Sequence, residues 1–99
     1  MIVVRNTNRA KYGMGDELLK HQKEMLAVLS RDPRVSGARI LTDVSGPAFT
    51  VETEFQVKSL AVFEEIFAEL TKGGAFSAWF ASIQPLVDSA RREFFTVRT

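Results

Sequence analysis

The stretch Phe49-Thr50-Val51-Glu52-Thr53-Glu54-Phe55-Gln56-Val57 constrains the chain more than any other. Phe49, Val51, Phe55 and Val57 fall on one side of an extended backbone, and Thr50, Glu52, Glu54 and Gln56 on the other. That is the period of two expected of a strand with one apolar face, and an all-helical fold cannot accommodate it. Residues 37–44 read as a second strand, and the turn Ser45-Gly46-Pro47 separates it from a third over about 48–57. So short a connection makes an antiparallel hairpin. A parallel pairing would need a crossover of roughly a dozen residues, which excludes a doubly wound sheet.

The other elements follow from local signals. Residues 2–7 are rich in β-branched side chains and read as a first strand, with turn signals from Asn8 to Gly15. Asp16 suits the positive end of a helix dipole. Met14, Leu18, Met25 and Leu29 then form an apolar stripe flanked by Leu19 and Leu26, until Ser30-Arg31-Asp32-Pro33 ends the helix. Ser59 is the expected N-cap of a second helix, striped by Val62, Phe63, Ile66, Phe67 and Leu70 and broken at Gly73-Gly74. Phe76, Trp79, Phe80 and Ile83 mark a third helical stretch. Pro85 should kink or restart it, with Leu86 and Val87 continuing its apolar side, and residues 93–98 read as the last strand. The order β-α-β-β-α-(α)-β is that of a ferredoxin-like α+β domain: a four-stranded antiparallel sheet with helices on one face, filling residues 1–99 as one unit.

The helices need an apolar sheet face, which Ile2, Val4, Ile40, Val44, Phe49, Val51, Phe55, Phe95 and Val97 can supply. Val3, Arg5, Arg39, Leu41, Asp43, Glu52, Glu54, Phe94, Thr96 and Arg98 would form the opposite face. In strand order 4-1-3-2, Arg5 and Arg39 flank the strand bearing Glu52 and Glu54, so cross-strand ion pairs are expected. Such a mixed face suits either solvent or a two-fold interface with a second copy.

Composition narrows the function classes. With 13 Lys and Arg against 12 Asp and Glu the net charge is +1, too balanced to favour nucleic acid or an anionic membrane. No segment approaches the roughly 20 apolar residues of a membrane helix. The N-terminal apolar run is too short for a signal peptide. The chain has no cysteine, which removes disulfides, thiolate metal sites and thiol nucleophiles. A soluble cytoplasmic protein is expected.

Several phrases in the chain are familiar as a set. They are Lys11-Tyr12-Gly13 before the first helix, Phe76-Ser77-Ala78-Trp79-Phe80, Gln84-Pro85-Leu86-Val87, and the closing Glu93-Phe94-Phe95-Thr96-Val97. Together they resemble small proteins of the dimeric α+β barrel superfamily, including NIPSNAP-like domains and the antibiotic-biosynthesis-monooxygenase-like group. The resemblance implies a homodimer joined through the sheet faces. It also implies a pocket between helices and sheet, where monooxygenases of the superfamily place an Asn from strand one and a Trp from the later helix. Asn6 and Trp79 match those positions. The haem-degrading members add a ligating histidine after the Trp; residues 80–99 contain none, so no cofactor is expected.

The candidate site is therefore Asn6, Tyr12, His21 and Trp79. Asn6 shares the parity of Ile2 and Val4 and should face the helices; Trp79 should meet it there. Tyr12 could close the mouth of a pocket or be an ordinary loop aromatic. His21 is the sole histidine, the one side chain that ordinarily titrates near neutrality. No second histidine or carboxylate cluster makes a metal site with it. Ser77, Ser82 and Ser89 lack a catalytic context, and Arg91-Arg92 is too small a basic spot for nucleic acid. Two functions fit: a dimer that binds a small apolar or aromatic molecule between helices and sheet, or a cofactor-independent monooxygenase. In the latter, Asn6 and Trp79 would steer substrate and His21 or Tyr12 would move a proton. Whether the chain is an enzyme stays open at this point.

Overall fold

A computed structural model describes all 99 residues. Its elements are β1 (Ile2–Ala10), α1 (Gly15–Ser30), β2 (Ser36–Thr42), β3 (Thr50–Val57), α2 (Leu60–Thr71), α3 (Gly74–Ile83), a single 3-10 turn (Gln84–Leu86) and β4 (Val87–Thr96). The four strands form one antiparallel sheet in the order β2-β3-β1-β4, and the three helices pack on one side of it. This is the β-α-β-β-α-α-β arrangement expected from periodicity. Ser59 caps α2, its Oγ accepting the Val62 amide at 3.3 Å, and Asp16 lies in the first turn of α1.

Register sorts the two faces. Val4, Asn6, Asn8 and Ala10 of β1 stand beside Phe55, Thr53 and Val51 of β3 and face the helices. Two apolar clusters form on this side. One joins Val4, Phe55 and Val57 to Leu26, Phe63 and Ile66; the other joins Ala10 and Val51 to Leu18, Ile83 and Leu86. On the opposite face Arg5 Nε lies 3.3 Å from Glu52 Oε1. Glu54, almost fully buried, takes Arg39 Nη2 at 3.0 Å and Arg5 Nη2 at 3.4 Å, so the expected cross-strand pairs are present.

The last strand departs from expectation. It begins at Val87 rather than at residue 93, because the 3-10 turn at Pro85 ends helical geometry and Val87 starts pairing with Ala10 of β1. β1 itself extends to Ala10 rather than residue 7, since as a central strand it is hydrogen-bonded on both sides. The register Val4↔Phe94 and Val3↔Phe95 also reverses the two phenylalanines. Phe94 meets Phe63 of α2 edge-on at 5.1 Å, while Phe95 lies on the far face beneath the Arg5 guanidinium at 4.9 Å. Val97 lies beyond β4, so it is not part of the helix-facing strand surface. Val44 is fully exposed in the β2–β3 loop instead of lining the helix face. Phe49 does reach the second cluster, but from the loop with φ of 64°, just ahead of the strand. Within β2, Gly37 at φ of +59° lets the backbone bulge where the register with β3 shifts between Ser36 and Arg39.

Candidate functional site

Between the two apolar clusters the helices and sheet do not close. A cavity of about 350 Å³ remains, walled by β1, β3 and β4 below and by all three helices above. Its size lies at the small end of the roughly 300–1,000 Å³ range of small-molecule sites. The apolar wall is aromatic. Phe63 and Phe67 of α2 stack at 5.7 Å, Phe67 meets Phe76 of α3 edge-on at 6.0 Å, and Phe76 lies 5.8 Å from Trp79. These rings sit three or four residues apart on their helices, which directs them to the same side.

Polar groups enter the wall from four elements, β1, β3, α1 and β4. Asn8 and Thr53 from the sheet and Gln22 from α1 are more than nine-tenths buried, and all three line the cavity. No protein group hydrogen-bonds to their side chains. Arg5 Nε is the one buried side-chain nitrogen or oxygen without a partner, so the polar atoms of Asn8, Gln22 and Thr53 are open to the cavity space rather than sealed into protein. On the edge strand, Arg92 stands opposite Asn6 in register and donates from Nε to Asn6 Oδ1 at 2.7 Å. Its guanidinium carbon lies 5.0 Å from the centre of the Phe67 ring and 5.3 Å from that of Phe63. Arg92 retains solvent contact, yet enough protein surrounds its head that burial lowers its pKa from the usual arginine value.

Of the four residues singled out from the sequence, Asn6 and Trp79 line this cavity together. His21 and Tyr12 do not. The half-buried His21 ring lies outside the cavity, 3.5 Å from Ser82 Oγ and 3.8 Å from Glu24 Oε2, because its place on α1 faces the end of α3 rather than the sheet. Its backbone carbonyl accepts the Trp79 indole N–H at 2.8 Å, so that donor is used in fastening α3 to α1. Tyr12 is 91% exposed and rests edge-on against Phe49 at 5.1 Å, outside the cavity lining. The wall contains no His, Asp, Glu, Tyr or Ser side chain, and no three His, Cys, Asp or Glu residues come together as a metal site. Arg92, Asn8, Gln22 and Thr53 escaped the sequence reading. Thr53 shares the parity of Val51 and Phe55, and Asn8 that of Val4 and Asn6, but a first strand ending at residue 7 left Asn8 in a turn, and a last strand starting at residue 93 left Arg92 outside it.

The architecture is shared with solved structures. A NIPSNAP domain protein from Burkholderia xenovorans, itself uncharacterised, superposes with a TM-score of 0.83 at 22% identity, covering 99% of this chain and 95% of that one. A NIPSNAP family protein from Agrobacterium tumefaciens gives 0.83 at 20% identity over 98% and 85% of the two chains. A Deinococcus radiodurans protein provisionally assigned as an antibiotic biosynthesis monooxygenase gives 0.79 at 11% identity over 100% and 94%. No family profile and no curated protein matches the chain. At these identities the likeness establishes the ferredoxin-like α+β fold of the single chain, and that alone.

Proposed function

We propose that this chain is a small-molecule-binding protein that holds a compact aromatic molecule in the cavity between α2, α3 and the sheet. The observation that carries this is the pairing of a ring-lined cavity of about 350 Å³ with the side chains of Asn8, Gln22 and Thr53, which reach its wall without bonding to another protein group. A packed core would have closed over the rings, and a structural polar network would have satisfied Asn8 and Gln22 internally. Titrating a bicyclic aromatic such as naphthalenemethanol while following Trp79 fluorescence tests the reading. Saturable quenching supports it, and an emission unchanged up to the solubility of the compound refutes it.

Asn6 and Trp79 in one wall support the monooxygenase reading as a second possibility, as does the shared fold with the Deinococcus radiodurans protein. Against it, no group in the wall can serve as a general base, and neither His21 nor Tyr12 reaches the cavity. Oxygen uptake with a polycyclic phenol above the protein-free rate would restore it.

Pairing with a second copy through the far sheet face belongs to the same proposal. Leu41 and Phe95 are exposed there at 40% and 42% beside the Arg5, Glu52 and Glu54 charges, a mixture that suits a self-complementary contact. Sedimentation at micromolar concentration should return about twice the 11.1 kDa chain mass; the single-chain mass would rule the dimer out. A cytoplasmic location is proposed with it, supported by the absence of cysteine and of any helix long and apolar enough to cross a membrane.

A further inference from the structure

Arg92 is the least expected residue in the cavity wall. On the helix-facing side of β4, its guanidinium lies across two phenylalanine rings and commits one N–H, the Nε, to Asn6. An arginine has five N–H donors, so four remain without a protein acceptor. None of the ion pairs in the chain includes Arg92. Its neighbour Arg91, which also touches the cavity, is by contrast neutralised by Glu93 at 3.2 Å. Cation–π contact with Phe63 and Phe67 orients the group but accepts no hydrogen bond. Asn6 holds the Nε edge, which leaves the two Nη groups as a preformed fork. That fork matches the two oxygens of a planar carboxylate better than it matches a point acceptor.

Resting on the reading of the cavity as a binding site, we infer that its ligand class is an aromatic carboxylate. The ring body packs against Phe67, Phe76 and Trp79, and the carboxylate is taken by Arg92. Arg92 is exposed at the cavity edge, with the Phe63 and Phe67 rings shielding one side of its head, so a carboxylate entering the cavity can reach its free Nη groups. Gln22 and Asn8 provide amide donors and acceptors for further polar substituents on the ring.

Calorimetric titration of the full chain with naphthoate, naphthalenemethanol and naphthyl phosphate, near neutral pH and at low salt, separates the possibilities. The wild-type chain should bind naphthoate about tenfold or more tightly than the alcohol, since one charge-assisted pair is worth at least that factor. Arg92→Met keeps an apolar stem over the rings and should abolish the preference while leaving affinity for the alcohol within about twofold. Equal wild-type affinity for acid and alcohol, or a preference that survives in Arg92→Met, would overturn the inference and leave the cavity reading standing. Tighter binding of naphthyl phosphate than of naphthoate would overturn the carboxylate assignment. Binding of none of the three would overturn the cavity reading and this inference together. If circular dichroism shows Arg92→Met unfolded, Arg92→Lys decides, because it keeps the charge and loses the fork. A reduced preference for acid over alcohol supports forked recognition, and a wild-type preference refutes it.

Discussion

Glu54 is 4% exposed on the sheet face that carries no helices, and replacing it with glutamine removes its charge with almost no change of shape. Arg39 Nη2 contacts both of its oxygens, at 3.0 and 3.3 Å, and Arg5 Nη2 reaches Oε2 at 3.4 Å. A hydrogen bond to a charged group contributes about 1.5–3 kcal/mol when shielded. Arg39 is 62% exposed, which brings its share down to the surface range of about 0–1 kcal/mol. Arg5 is the better shielded partner at 36%. Its buried Nε makes no hydrogen bond of acceptable geometry, so the loss of Glu54 leaves the group dependent on Glu52 alone. The sum is about 2 kcal/mol. For a domain of this size each kcal/mol moves Tm by about 4–8 °C, so Glu54→Gln should melt about 10 °C lower. Thermal unfolding by circular dichroism at one fixed protein concentration reads this, the concentration being held because self-association would add to stability. High salt should narrow the gap between the two proteins by screening the exposed part. A Tm within about 2 °C of wild type would show that the buried carboxylate contributes nothing net.

Three further outcomes are expected. The Asp32 carboxyl is held at about 2, well below its ordinary 3.8, chiefly by hydrogen bonds from the Arg34 side chain and backbone amide. Because its folded pKa is depressed, the stabilisation is complete above about pH 4 and disappears as pH falls through about 2. Urea midpoints at pH 4.5 and pH 2 should therefore fall less in Asp32→Asn than in the wild type, and parallel falls would contradict the pairing. Trp79→Phe removes the indole donor to the His21 carbonyl and should cost about 1 kcal/mol in chemical denaturation. His21→Ala, which keeps that carbonyl, should stay within about 0.5 kcal/mol; a larger loss would place the His21 ring in the fastening of α3. Gly37→Ala forces a side chain into a left-handed conformation beside Gln56 Nε2 at 3.3 Å and should cost about 1–2 kcal/mol, and unchanged stability would argue against the bulge.

The elements that were legible from sequence are those whose burial is one-sided. Val51 to Val57 alternates because one face meets helices and the other meets charge, and the stripe of α2 repeats because its outer face is solvated. β4 was not legible over Val87–Arg92. As an edge strand with Asp88, Arg91 and Arg92 it reads as polar chain, and only its pairing with the central strand makes it extended. Phe94 and Phe95 carry no parity information, since adjacent identical residues allow either assignment. The site was half legible for related reasons. Asn6 inherits its direction from Val4, and Trp79 from the α3 stripe. Gln22 lies four residues from both Leu18 and Leu26 on the buried side of α1, but its polar type within Lys20-His21-Gln22-Lys23-Glu24 hid that position. The role of Arg92 depends on its register with Asn6, 86 residues away. Tyr12 and His21 were singled out by chemical type, and type does not determine direction.

The central claim is that the space between helices and sheet binds small aromatic molecules. Amide chemical shifts of the labelled chain, recorded while a bicyclic aromatic is added, test it most directly. The account predicts saturable shifts concentrated at Asn6, Asn8, Gln22, Thr53, Phe67 and Arg92, the residues that wall the cavity from separate elements. Shifts confined to the far face around Arg39, Leu41 and Phe95, or none at all, would contradict it.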